Sequence, residues 1–417
     1  MAGLNKRNAE LIGLVCAAII LVGGSAVSQA ARERTWQKVP ADLYLVLIAF
    51  FIAHLILRFK AKDADPLLLP LGAVLATIGL IELRALGGPY LFSQQLWIAL
   101  GVAAAVVVVL ITREPDRLGL YKYLAGAFGV LLLLSPIAFG TVRGGSKLWL
   151  VVAGYSFQPA EIAKILLTIF LAAYLAEKKE VLSLARARHF GPLLLTWLVS
   201  LAILIFERDL GSSFIFFSLF LVMLYIATGR AAYVVVGIAL FFAGASAAYR
   251  LFPHVAARID VWLNPLPADV GGSAYQVAQS LFAMSAGGMT GTGLGAGFLG
   301  RRIPMPAVHT DFIFAALGEE LGLAGAAAVL LIYICFLARG FAVALNAASD
   351  FTKLLAAGLA TVTGIQAVVI IGGVTKVLPL TGVTLPFMSY GGSSMVAGFM
   401  IVGLLLAISR QSHDRKT

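Results

Sequence analysis

The sequence predicts an all-α, polytopic integral membrane protein with about twelve transmembrane helices. Two observations carry that prediction. Of 417 residues, 60% are hydrophobic and only 12% charged, with a mean hydropathy of +0.96, about half the charge of an ordinary soluble protein. Apolar runs of about 17 to 25 residues, the length that crosses a bilayer core, recur from near the N-terminus almost to the C-terminus. Together they exclude a soluble globular protein and leave no room for a large soluble module. The net charge of +11, from 31 Lys and Arg against 20 Asp and Glu, points to loops facing an anionic lipid leaflet. No basic stretch is interleaved with aromatics, so nucleic acid is not an expected partner.

Taken in order, the predicted spans centre on residues 14–27, 43–57, 70–81, 96–112, 123–139, 162–176, 193–206, 214–228, 234–248, 312–337, 354–375 and 395–408. The first follows Lys6 and Arg7 and ends in SQAARERT, which lacks a convincing cleavage context, so it reads as a retained signal anchor. Lys and Arg gather in the connections on the N-terminal side, among them Arg58, Lys60, Lys62, Arg113, Arg117, Lys178 and Lys179. This bias puts both termini in the cytoplasm, and the long segment 250–310, between the ninth and tenth spans, becomes an extracytoplasmic loop. Cys16 and Cys335 fall inside apolar runs and read as inert packing residues. The five histidines, His54, His189, His254, His309 and His413, are scattered, so neither a disulfide framework nor a zinc site is indicated.

Ionisable and turn-forming residues at span boundaries mark four places, because charge at membrane depth is costly. In GGSKLWLVVAGYSFQPAEIAKI, Pro159 suits the first turn of a helix, and Glu161 and Lys164 lie at i and i+3 on one face. They can neutralise each other at the wall of a polar cavity or serve as a structural pair tying two helices. Lys147 and Trp149 suit the membrane interface. In FERDLGSSFIFF, Asp209 reads as a helix N-cap. The third place runs from Arg258 to Leu323. It holds a short amphipathic helix over 275–286, a Gly-rich run over 287–300 that lacks a P-loop lysine, and Asp311 at a span boundary after His309 and Thr310. Those glycines allow close approach of a bulky ligand or a neighbouring helix, and Asp311 taken alone could be a helix cap. The fourth is KVLPLTGVTLPFMSYGGSSM, a re-entrant segment whose polar groups need protein or water around them.

Together, FQPAEIAK, ERDLGSS, GSAYQ with GGMTGTGLG, HTDFIFAALGEELG and LPLTGVTLPFMSYGGSS resemble, in order and spacing, the SEDS family of bacterial RodA, FtsW and SpoVE proteins. ATGR, GGVTKVLPLTG and the short tail are more similar to the RodA type. The resemblance implies a ten-helix core over 66–417 and makes the two helices in 1–65 an N-terminal addition. It implies a peptidoglycan glycosyltransferase in the bacterial cytoplasmic membrane that polymerises lipid II at the outer face for elongation and cell shape, beside a class B penicillin-binding protein. The family's catalytic aspartate carries over to Asp311. Glu161 and Lys164 match its cavity pair, and Arg258, Tyr275 and Gln276 match its large outer loop. His309, Ser393 and Lys147 are further candidate substrate contacts. Ala160, Leu148, Arg208 and Ile370 stand where many members have Ser, Arg, Pro and Asn.

The chemistry so implied converts an α-linked diphosphate donor into a β1,4 bond, an inversion that one displacement and one general base can achieve. The leaving diphosphate is a stable anion, so no second carboxylate is needed. Arg258, Lys164 or a divalent cation such as Mg or Mn would offset its charge. A lipid flippase and a non-catalytic scaffold of the division or elongation machinery are the competing classes.

Overall fold

A computed structural model describes residues 6–33, 43–87, 90–143, 146–152, 154–183, 191–206, 208–266, 272–299, 303 and 305–414. The helices are α1 (Lys6–Glu33), α2 (Tyr44–Lys60), α3 (Leu68–Leu86), α4 (Leu91–Ile111), α5 (Lys122–Phe139), α6 (Pro159–Ser183) and α7 (Gly191–Phe206). They continue with α8 (Leu210–Thr228), α9 (Ala231–Leu251), α10 (Pro253–Leu263), α11 (Ser273–Gly287), α12 (Ile313–Leu345), α13 (Asp350–Val374) and α14 (Gly392–Asp414). Each of the twelve apolar runs lies within one residue of a helix. Among the described residues ten helices are long and apolar enough to cross a membrane, while α2 and α7 have 17 and 16 residues.

Local signals in the sequence account for the helix ends. Pro159 opens α6, where a missing N–H costs nothing. The Asp209 carboxylate accepts the Ser212 N–H at 2.9 Å and caps α8. Ser349 and Thr352 form a reciprocal capping box at the start of α13. The expected amphipathic helix after residue 272 is α11. One element was absent from the all-helical expectation: β1 (Thr141–Arg143), β2 (Ser146–Val152) and β3 (Tyr155–Phe157) form an antiparallel sheet, with Thr141 opposite Trp149 and Val151 opposite Ser156. Its β-branched and aromatic residues favour extended backbone once they lie in a connection too short to span.

Helix α13 is the most enclosed, and α9 is almost wholly turned outward. Phe399 of α14 meets Phe50 and Phe387 at ring distances of 5.9 and 5.3 Å, and Phe387 meets Phe336 of α12 at 5.5 Å. These aromatic contacts join α2, α12 and α14 through a core that apolar burial stabilises. Cys16 and Cys335 are free and lie on exposed helix faces rather than in this core. Single outward-facing residues on an apolar helix surface are compatible with lipid contact.

The Gly-rich run folds against α12. Glu319 accepts the N–H groups of Phe298 and Leu299, both at 2.9 Å, and Glu320 accepts that of Gly295 at 2.8 Å. Gly291 has φ +84°, and a Cβ there would lie 2.1 Å from the Glu320 carbonyl oxygen. The glycines therefore serve approach to a neighbouring helix, and α12 itself is broken at Gly322 (φ 65°). Buried Glu82 of α3 stands close enough to Glu319 and Glu320 for their charges to interact, and its Oε1 has no hydrogen-bond partner among the described residues.

At the far end of α12, roughly 40 Å along a helix from its start, a second polar layer closes the bundle. Arg339 pairs with Asp65, and Arg410 donates to the carbonyls of Thr112 (3.1 Å) and Arg113 (3.2 Å). Fully buried Arg7 binds Glu10 and the Ala64 carbonyl, and Glu10 meets His54 Nδ1 at 2.7 Å. Each of these buried charges has a partner, as burial requires.

Candidate functional site

The segment linking α13 to α14 gathers the polar residues at the end of the bundle where α12 starts. Arg258 Nη1, on α10, donates to the carbonyls of Thr381 (2.7 Å) and Leu380 (3.3 Å). The next residue, Gly382, has φ +76°, and a Cβ there would lie 3.5 Å from Asp311 Oδ2. Ser389 Oγ donates to the Thr310 carbonyl (2.5 Å), and Tyr390 N–H to the His309 carbonyl (2.9 Å). Gln94 of α4 donates to the Ser389 carbonyl at 3.0 Å. This irregular backbone lies at the bundle end with protein partners for its polar groups, as such backbone requires.

Asp311 is the central feature. The N-cap of α12 is Phe312 and no side chain caps that helix, so the carboxylate of Asp311 is not committed to capping. It is half-buried. Loss of hydration pushes its pKa up to about 6, while the Thr310 side chain and the charge of Arg258 pull the other way. Asp209 is raised for the same reason, opposed by its bonds to Ser212 and by Arg258 and Lys164. The charges of Asp209 and Asp311 both act on Arg258.

Glu161 and Lys164 form a buried ion pair at 2.8 Å. Lys164 also donates to Gln366 Oε1 of α13 at 2.6 Å, and Gln366 donates onward to the Thr384 carbonyl at 2.9 Å. Thr384 Oγ1 meets Ser394 Oγ at 2.8 Å. The pair thus ties α6 to α13 and to the linking segment, and it faces Asp209 electrostatically. Ser393 Oγ accepts the Gln158 N–H at 2.8 Å, holding the start of α14 to the start of α6.

The remaining candidates are more dispersed. Gln276 Oε1 accepts the Ala307 N–H at 3.4 Å, supporting the turn that leads to Asp311. Tyr275 is half-buried in the first turn of α11 and makes no hydrogen bond with the described residues. The His309 ring lies edge-on to Tyr90 at 5.2 Å, and its buried Nδ1 has no hydrogen-bond partner among the described residues. Lys147 Nζ donates to the Ile137 carbonyl at 2.6 Å, within the sheet region. Glu207 lies outside the described residues. Sequence reasoning did not single out Gln366 or Thr384. The signal available was one amide in the middle of an otherwise apolar span.

Among the described residues no group of three or more His, Cys, Asp or Glu is arranged to hold a metal. The arrangement instead offers one carboxylate near neutral pKa, a guanidinium beside it, and an anchored backbone segment between them.

Comparison with known proteins gives the family. The sequence profile of the FtsW, RodA and SpoVE family, described as a cell cycle protein, matches residues 66–414. The chain is similar to the peptidoglycan glycosyltransferase RodA of Mycobacterium leprae, 41% identical with 98% of this chain and 91% of the relative covered. It is 35% identical to the stage V sporulation protein E of Bacillus subtilis, over 85% of this chain and 99% of that protein. Among solved structures, a chain from a peptidoglycan synthase complex that coordinates polymerization and crosslinking superposes with a TM-score of 0.71 at 28% identity, covering 84% of this chain and 98% of that one.

Proposed function

The chain belongs to the FtsW, RodA and SpoVE family and is a peptidoglycan glycosyltransferase, and we propose that it polymerises lipid II with Asp311 as general base. The observation that carries this reading is the state of Asp311: uncommitted as a cap, half-buried, near pKa 6, and within the field of Arg258. A base works best with a pKa near the operating pH.

In the proposed step the acceptor sugar's C4 hydroxyl attacks the anomeric carbon of the lipid-linked donor. The new C–O bond forms as the bond to the diphosphate oxygen breaks. Asp311 takes the hydroxyl proton, and the leaving undecaprenyl diphosphate keeps the electron pair, neutralised by Arg258. One displacement inverts α to β. Glu161, Lys164 and Gln366 hold the wall of the site in register rather than taking part in proton transfer. Gln276 and Ser393 position the backbone on either side, while His309, Tyr275 and Lys147 are assigned to substrate contacts around the opening.

The positive-inside pattern supports cytoplasmic termini and an outward-facing site. The synthase-complex neighbour supports a class B penicillin-binding protein as partner. The two helices of 1–65 are read as an addition in which buried Glu10 and His54 tie α1 to α2, while α1 lies on α3 where Gly13 adjoins Pro70 and Gly24 adjoins Ile81.

The test is polymerisation of purified lipid II by wild type and Asp311→Asn, with and without a candidate transpeptidase. Loss of a positioned base lowers turnover by roughly 10²–10⁴-fold. Normal chain growth by correctly inserted Asp311→Asn protein would remove Asp311 from the mechanism. Movement of lipid II across liposomes with no chain growth would replace polymerisation with flipping.

A further inference from the structure

Helix α10 carries His254, Arg258 and Trp262 at i, i+4 and i+8, along one face. Two of the three are anchored to the segment linking α13 and α14. Arg258 donates to the Thr381 and Leu380 carbonyls, and Trp262 Nε1 donates to the Lys376 carbonyl at 3.0 Å. His254 therefore stands one turn beyond Arg258 on the face that adjoins the Asp311 site. Its Nε2 is buried and has no hydrogen-bond partner among the described residues, and its ring rests near Phe252 at 5.8 Å.

The charges that bear on His254 are both positive: Arg208, from the connection entering α8, and Arg258, from its own helix. The acids of the site, Asp209 and Asp311, act on Arg258. Arg208 makes no side-chain hydrogen bond or ion pair with the described residues. Its backbone has φ 62°, a left-handed conformation unfavourable for a non-glycine residue. Two guanidinium charges thus bear on an imidazole whose buried Nε2 has no hydrogen-bond partner among the described residues. Such a set attracts an anion, and guanidinium forks suit phosphate oxygens.

We propose that Arg208, His254 and Arg258 form the subsite for the diphosphate of the lipid-linked donor, with the His254 imidazole taking up a solvent proton as that anion enters. The inference rests on the lipid II reading above and extends it to two residues outside the motif residues assigned to the site. Before binding, burial and the two arginines hold His254 below the ordinary histidine value, so the ring is neutral at pH 7. An entering diphosphate reverses the local field and favours the imidazolium, which then donates from Nε2. Arg258, whose charge reaches both His254 and Asp311, links this anion subsite to the base.

The experiment uses full-length protein carrying Asp311→Asn to stop turnover, reconstituted in nanodiscs. Equilibrium binding of fluorescent lipid II and of geranylgeranyl diphosphate, which has no sugar, is measured between pH 6 and 8. Arg208→Ala and His254→Gln should each weaken both probes about tenfold, the scale of one charge-assisted hydrogen bond. Arg208→Lys should retain part of the affinity. Arg117→Ala, in an exposed pair with Glu114 away from the site, should change nothing. Binding of lipid II, whose diphosphate does not titrate in this range, should tighten as pH falls, and His254→Gln should abolish that dependence. A merely structural histidine would not produce this loss. If His254→Gln does not fold, His254→Asn and the two Arg208 variants carry the same comparison. Unchanged binding of both probes in the variants overturns the subsite, as does loss of lipid II alone with geranylgeranyl diphosphate retained. If the parent binds neither probe, the lipid II reading falls and the subsite falls with it.

Discussion

The sharpest prediction concerns the acid limb of the rate profile and its dependence on Arg258. Asp311 has a pKa of about 6, raised by burial and moderated by Arg258. With Asp311 as the proposed base, only its ionised form accepts the acceptor proton, so kcat/KM should rise with pH and reach half its plateau near pH 6. Between pH 7 and pH 5 the ionised fraction of such a group falls about tenfold. Removing Arg258 withdraws an opposite charge that favours the carboxylate, so Arg258→Ala should move the limb to higher pH. The plateau should fall as well, because Arg258 is also proposed to neutralise the leaving diphosphate. The assay is the initial rate of polymerisation of subsaturating lipid II from pH 5 to 8, in wild type, Arg258→Ala and His254→Gln. The last variant removes the opposing titration of His254. A wild-type limb near pH 4, or a limb left in place by Arg258→Ala, would refute the coupling of this arginine to the base.

Asp311→Asn should stabilise the fold. A carboxyl raised above its unfolded value destabilises the native state as it ionises, so the variant's advantage is present above pH 6 and vanishes below about pH 4. Its size is on the order of 2–3 kcal/mol, read as the pH-dependent difference in unfolding midpoint. Glu161→Gln leaves the buried Lys164 ammonium with only Gln366. It should cost about 3–5 kcal/mol, much of it recovered in Glu161→Gln/Lys164→Met, and equal losses in the single and double variants would show that the pair is not the unit of stability. Gly291→Ala must adopt φ +84° and meet the Glu320 carbonyl, so it should lose about 2 kcal/mol or more. Gly244→Ala on outward-facing α9, where nothing lies within 4 Å, should be neutral by the same thermal assay.

Much of the architecture was legible because hydropathy acts locally. Each apolar run coincides with a helix, and Pro159 and Asp209 stand at helix starts as their chemistry requires. The Asp209 cap and the Glu161–Lys164 pair needed only near neighbours in sequence. Gln366 was not legible, because a lone amide in a span does not reveal its partner 202 residues away. The purpose of the Gly-rich run was open between ligand and helix, and the carboxylates of Glu319 and Glu320 decided it. The short sheet over 141–157 escaped notice because its strands are brief and sit between stronger helical signals.

By itself, then, the sequence determined the membrane-spanning class, the order of the elements and which charges fall at span boundaries. It also held the ordered motifs that mark the family. Only the tertiary structure decided which of those charges meet. Arg258 reaches a carbonyl 123 residues away, and that segment in turn lies against Asp311. The charge of Arg208, in the connection entering α8, bears on His254 of α10 only through the fold. The physical reason is that burial of apolar surface sums residue by residue along a helix, whereas a pKa, an ion pair or an anion subsite depends on distances through space between separate helices.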